Sequence, residues 1–190
     1  MHIAIVNNAA TKPDSLLRLL GKNTSQVFGY AESHLVEPAH FDLLILTGSS
    51  QFPIVYNREK LQAEIALIQR SNILTLGICY GCELIAVAFG STLKDRGAFS
   101  QERAPFKIEV TSDNPIFLGH RDFMAYDAHR WTIDTLSSEI EVLARSTHGP
   151  EIIRHKNLPI YGFQFHPEKL PDETFGDELF AALVTQNVLT

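Results

Sequence analysis

Two short stretches hold side chains that could do covalent chemistry together. Leu76-Gly77-Ile78-Cys79-Tyr80-Gly81-Cys82-Glu83 sets a cysteine midway between two glycines, and Phe165-His166-Pro167-Glu168 sets a histidine two residues before a carboxylate. A thiol needs a base to become a thiolate, and the base needs an acid to hold its useful tautomer. Cys79, His166 and Glu168 could fill those three roles. Glycines on either side of Cys79 let the chain turn sharply from a strand into a helix. Such a turn lifts the nucleophile and aims the helix amides and dipole at it. The competing reading of Cys79 is a buried, inert thiol, a common fate of free cysteine. Cys82, one helical turn on, reads as such a thiol. A C-x-x-C pair could also be a redox couple or half a zinc site, but there is no second pair to complete four ligands.

The remaining candidates for a base are weaker. His2, His34, His40, His120, His148 and His155 stand in contexts that suit surface or capping roles. His166 differs, because it closes the apolar run Pro159–Phe165 and is followed by a rigid proline and an acid.

These residues need a scaffold, and the hydrophobic pattern predicts one. His2–Val6, Phe41–Leu46 and Asn72–Ile78 read as buried strands, with Pro159–Phe165 as the last. Pro13 opens a helix through Leu20 that closes at Gly21. Leu61, Ile65 and Ile68 give an amphipathic helix between Asn57 and Arg70. Tyr80–Phe89 is a helix apolar nearly all round, hence central. Phe106–Val110, Arg121–Tyr126 and Val142–Ala144 look like short strands. Phe175, Leu179, Phe180, Leu183 and Val184 form a closing helix. Continuous apolar strands alternating with helices predict an α/β three-layer sandwich around a mostly parallel sheet. Cys79 and His166 then both fall at carboxyl ends of strands, where such sheets place their sites.

Composition excludes several function classes. The chain has 190 residues, 45% hydrophobic and 20% charged, with a formal net charge of -6. It offers no basic face for nucleic acid and no apolar run near the roughly 18 residues that span a bilayer. No secretory signal is visible at the N-terminus, so a cytoplasmic location is expected. No phosphate-binding glycine motif is present, and no cluster has metal-ligand spacing, so neither metal nor cofactor is expected.

Taken together, the motifs resemble those of class I glutamine amidotransferases. GICYGCE (77–83) is similar to the family's nucleophile elbow and YGFQFHPE (161–168) to its His-x-Glu signature. Leu46-Thr47-Gly48-Ser49-Ser50 occupies the place of the family's oxyanion loop. The resemblance runs from the first strand to the last helix. It implies a flavodoxin-like fold and one type 1 glutamine amidotransferase domain over residues 1–190. It further implies a glutaminase that forms a thioester on Cys79, with oxyanion donors at the backbone of Gly48, Ser49 and Tyr80. Substrate contacts are implied at Glu83, Asp127, Ala128 and His129. Family members pass ammonia to a synthetase, which here must be a separate subunit; size and local likeness point to a GMP synthase-like system.

The pattern departs from the family at substrate-reading positions. Glu83 stands where the family has Gln, Ser49 where it has a second loop glycine, and Asp127-Ala128-His129-Arg130-Trp131 where it has Ser-His-x-Asp. If the second loop position needs positive φ, Ser49 hinders it. Two alternatives therefore stand beside the glutaminase: a triad hydrolase of another γ-glutamyl amide, and a non-catalytic regulatory subunit of the same fold. Tyr126–Trp131 is a candidate docking surface, with core packing of Trp131 as its rival.

Overall fold

The computed structural model describes residues 1–97 and 103–188. In chain order the regular elements are β1 (His2–Asn7), α1 (Asp14–Leu20), β2 (Thr24–Gly29), β3 (Leu43–Leu46), α2 (Gln62–Arg70), β4 (Leu74–Ile78), α3 (Tyr80–Ala88) and β5 (Leu93–Asp95). They continue with β6 (Ala104–Val110), β7 (Asp122–Asp127), β8 (Trp131–Ile133), β9 (Ile140–Ser146), β10 (Gly149–His155), β11 (Ile160–Phe163) and α4 (Gly176–Val188).

Among the described residues the main sheet has nine strands in the order β2-β1-β3-β4-β11-β10-β9-β6-β7. The first five are mutually parallel, and β10, β9, β6 and β7 extend the sheet by antiparallel pairing. Strand alternation divides the core in two. Ile3 and Ile5 of β1 face one layer with Leu16 and Leu20 of α1 and Leu179 and Leu183 of α4. Ala4 and Val6 face the other, with Ile65 and Ile68 of α2 and Leu84 and Ile85 of α3. This is the three-layer α/β arrangement that the apolar runs predict. No helix among the described residues is long and apolar enough to cross a membrane.

The expected strands and helices all form, with ends shifted by a few residues in either direction. The segment before α2 is a 3-10 turn over Arg58–Leu61 rather than helix. Four strands escape the sequence pattern: β2, β5, β8 and β10. β2 reads Thr-Ser-Gln-Val-Phe-Gly and lies at the sheet edge with mostly exposed side chains, so it carries little apolar signal. Among the described residues β5 and β8, three residues each, pair only with one another.

Candidate active site

The parallel half of the sheet brings β1, β3, β4 and β11 to one edge. Thr47 follows β3, Cys79 follows β4, and His166 lies three residues beyond β11. Cys79 is the N-cap of α3 with φ 50 and ψ -103, a conformation that side-chain-bearing residues rarely adopt. Its amide donates to the Phe163 carbonyl at 2.7 Å, and the Glu83 amide donates to the Cys79 carbonyl at 3.0 Å. The two flanking glycines are required by close approach. A Cβ on Gly77 would collide with the Gly81 backbone, and one on Gly81 would collide with the Leu46 carbonyl.

His166 is anchored by its amide, which donates to the Tyr126 carbonyl at 3.0 Å. Its Nδ1 lies 2.7 Å from Glu168 Oε1, so Nδ1 carries a proton and Nε2 is left for other work. The Cys79 thiol and the imidazole are close enough to shift each other's proton affinity. Burial pushes the Cys79 thiol up, His166 opposes this, and Glu83 and Glu168 add to it. Burial alone would lower His166, but Cys79 and Glu168 raise it overall. Burial also works against the Glu168 carboxylate, yet His166 brings it below the usual carboxylate range. Thiol and imidazole therefore titrate as a pair. Moving the proton from Sγ to the ring makes an ion pair whose cationic half Glu168 stabilises.

The loop after β3 lies against both groups. A Cβ on Gly48 would sit 3.0 Å from His166 Cε1 and 3.6 Å from Cys79 Cβ. Neither Gly48 nor Ser49 has positive φ, so Ser49 is accommodated without backbone strain. Crowding, not torsion, explains the glycine at 48. The Ser49 hydroxyl accepts from the Gln51 amide at 3.1 Å.

Glu83 is buried one turn into α3 and accepts from Gln164 Nε2 at 3.2 Å. Burial raises it to about 7, against the opposing pull of His129, Gln164 and His166. Cys82 is fully buried and packs on Gly162, where a Cβ would meet its Sγ at 2.6 Å. A redox partnership with Cys79 has no support in that placement.

A cavity of about 930 Å³ opens at this edge and is lined by Cys79, Tyr80, Glu83, Gly48, Ser49, Ala128, His129, His166 and Glu168 among others. Asp127 departs from its expected role, because it is fully buried and is not part of that lining. Its Oδ1 accepts from the His129 amide at 2.9 Å, and its Oδ2 lies 3.0 Å from His148 Nδ1. Strand alternation turns it away from the side on which Tyr126 and Ala128 reach the cavity. Trp131 lines the mouth, edge-on to Tyr56 at 6.2 Å between ring centroids.

Asp127, His129 and His148 also form a group with the spacing of metal ligands, which the separations along the chain do not reveal. The Arg96 guanidinium lies among them, with Nη1 3.4 Å from Asp127 Oδ2 and 3.2 Å from His129 Nε2. His129 is raised despite its burial, chiefly by Glu151 and Asp127. The group is thus an ion-pair network with a cation of its own. His148, expected to be unremarkable, belongs to it. Its recruitment from the β9–β10 turn is a tertiary event.

The family model for class I glutamine amidotransferases matches residues 5–185. One chain of the glutamine-hydrolysing GMP synthase of Pyrococcus furiosus is 35% identical over 138 residues, 72% of this chain and 71% of that one. The corresponding chain of Methanococcus maripaludis is 38% identical over 136 residues, covering 70% and 67%. That of Methanocaldococcus jannaschii is 35% identical over 123 residues, covering 64% of each chain. Among solved structures, a putative GMP synthase component from Thermoplasma acidophilum superposes with a TM-score of 0.85 at 25% identity, covering 100% of this chain and 94% of that one. A Thermotoga maritima glutamine amidotransferase shares the fold with a TM-score of 0.76 at 17% identity, covering 100% of both chains.

Proposed function

The chain belongs to the class I glutamine amidotransferase family, and from that premise we propose that it hydrolyses the side-chain amide of glutamine and passes the ammonia to a separate synthetase subunit. By likeness to its relatives, that assembly is a GMP synthase and this chain its glutaminase half. The observation that carries the reading is the placement of Cys79. It stands at a positive-φ strand–helix turn beside an imidazole whose other nitrogen is bound to Glu168.

Proton transfer from Cys79 to His166 frees the thiolate, which attacks the amide carbon of glutamine. The oxyanion forms beside the Tyr80 amide at the start of α3 and the amide of Gly48 or Ser49. Each such donor is worth about 2.7–4 kcal/mol in the transition state. His166 returns its proton to the departing nitrogen, the C–N bond breaks, and ammonia leaves a γ-thioester on Cys79. Water then gives a proton to His166 as it attacks the thioester. Collapse releases glutamate and restores the thiol. Glu168 keeps the ring in the tautomer that serves both half-reactions.

Ammonia release from glutamine by the purified chain, alone and with a candidate synthetase partner, tests this. Turnover that vanishes in Cys79→Ala supports it, as does a glutamine-like chloroketone that labels Cys79. No turnover under either condition, with the thiol intact, overturns it.

A second reading is favoured by one residue. Glu83 presents a buried carboxyl to the cavity where the family has an amide, and this charge would repel an α-carboxylate. A different γ-glutamyl amide is then the substrate. Faster turnover of any member of a γ-glutamyl panel than of glutamine would select this reading over the first.

A further inference from the structure

On the α2 side of the sheet lies a carboxyl that the chemistry above does not use. Glu64 is fully buried, and its Oε1 accepts from Asn8 Nδ2 at 2.9 Å. The same Asn8 nitrogen donates to the Thr47 carbonyl at 3.4 Å, so both of its N–H groups are engaged. Asn8 ties the following loop twice more. Its amide donates to Thr47 Oγ1 at 2.9 Å, and its carbonyl accepts from Gln51 Nε2 at 2.8 Å. The loop over 47–51 is therefore held at both ends by one residue, and that residue's side chain is fixed by Glu64. Gly48, the next residue along, lies beside His166 and Cys79 with no room for a side chain between, so a displaced Thr47 would shift the loop relative to the reacting groups.

The second oxygen of Glu64 and the hydroxyl of Tyr80 are both buried without a hydrogen-bond partner, and the Glu64 charge acts on the Tyr80 phenol. The geometric link from Glu64 therefore runs through Asn8 to the loop after β3. Burial raises its carboxyl to about 8, with the Asn8 hydrogen bond opposing. Near neutral pH it is an uncharged acid, and its role there is geometric.

We infer that Glu64 is a positioning residue: through the Asn8 carboxamide it fixes the loop that would present the Gly48 and Ser49 amides to the oxyanion. The inference rests on the thioester reading of the site. Two variants separate geometry from packing. Glu64→Gln keeps the volume and an acceptor oxygen for Asn8, whereas Glu64→Leu keeps the volume and strands the Asn8 N–H.

Hydrogen exchange of the segment over 46–52 is measured together with kcat and KM for glutamine hydrolysis and the rate of Cys79 alkylation by iodoacetamide. Glu64→Leu is expected to speed exchange in that segment and lower kcat about tenfold or more. KM and alkylation should change little, since alkylation forms no oxyanion. Glu64→Gln should restore slow exchange and most of kcat. Asn8→Ala, which leaves α2 intact, should reproduce the Glu64→Leu pattern and replaces it if that variant does not fold. Unchanged exchange in the segment overturns the inference, as does a parallel fall of kcat and alkylation. Exchange is read without substrate, so it judges Glu64 even if the wild-type chain proves not to hydrolyse glutamine.

Discussion

His166 Nδ1 and Glu168 Oε1 are 2.7 Å apart with only Pro167 between the two residues. The proline removes backbone freedom from the link, so the carboxylate reaches back to the ring from a nearly fixed position. Glu168→Gln keeps the size and the acceptor but loses the charge that favours the imidazolium. A fall in kcat of about 10²–10⁴ is expected, the usual range for general acid–base assistance. Steady-state glutaminase assays check it; a loss of twofold or less would remove Glu168 from the chemistry.

Glu83 gives a prediction with a pH sign. Its carboxyl is raised to about 7, chiefly by burial, and its charge in turn raises the Cys79 thiol. Below that pH the group is neutral, and Glu83→Gln should alkylate at Cys79 at the wild-type rate. About one unit above it, the wild-type carboxylate opposes thiolate formation and the variant should react several-fold faster. Mass-spectrometric alkylation rates across this range decide the matter, and equal rates throughout would place the Glu83 charge away from the thiol.

Glu64 should make the fold itself pH-dependent. Its folded value of about 8 lies above the ordinary 4.5 because burial favours the neutral acid. The stability it contributes is therefore full below about pH 4.5 and is lost as pH rises through about 8. Chemical denaturation should show wild-type stability falling across this window relative to Glu64→Gln. A constant difference between the two proteins would contradict the assignment.

Gly48→Ala tests the crowding behind the cavity. The added methyl would stand 3.0 Å from His166 Cε1, tighter than an ordinary carbon contact. A shift of the imidazole of a few tenths of an ångström should cost about tenfold or more in kcat, since reacting groups tolerate little misplacement. Thermal unfolding should change by only about 1–3 kcal/mol, the usual cost of overpacking. Full activity would mean that the loop yields instead of the ring.

Arg96→Met removes the cation from among Asp127, His129 and His148. A buried carboxylate left uncompensated typically costs about 3–5 kcal/mol, and the Arg96 side chain here is 10% exposed. Asp127 keeps the His129 amide and His148, so a destabilisation smaller than that is expected in denaturant titrations. Because the three side chains keep metal-ligand spacing, zinc should raise the melting temperature of the variant more than that of wild type. Equal responses would show that the guanidinium is not what occupies the seat.

The features predicted best are those written in local chemistry. β4, Cys79 and α3 follow from an apolar run, two glycines and a second apolar run, each confined to a few residues. His166 and Glu168 lie two apart, so their pairing needs no tertiary knowledge. β2 is hidden because its edge position leaves polar side chains in solvent. The direction of Asp127 depends on which face of β7 meets the cavity, and the strand's residue types leave that open. The ring of Arg96, Asp127, His129 and His148 draws on three separate segments of chain. Glu64 could be recognised only once α2 was seen to pack over Asn8, since a Glu on an amphipathic helix ordinarily faces water.

The chain has one tryptophan, and the fold sets it at the cavity mouth beside Tyr56 and Arg130. Its fluorescence is therefore local to this site, with no second indole to dilute it. Emission intensity and quenching should report occupancy of the cavity, or its covering by another protein, without any attached label.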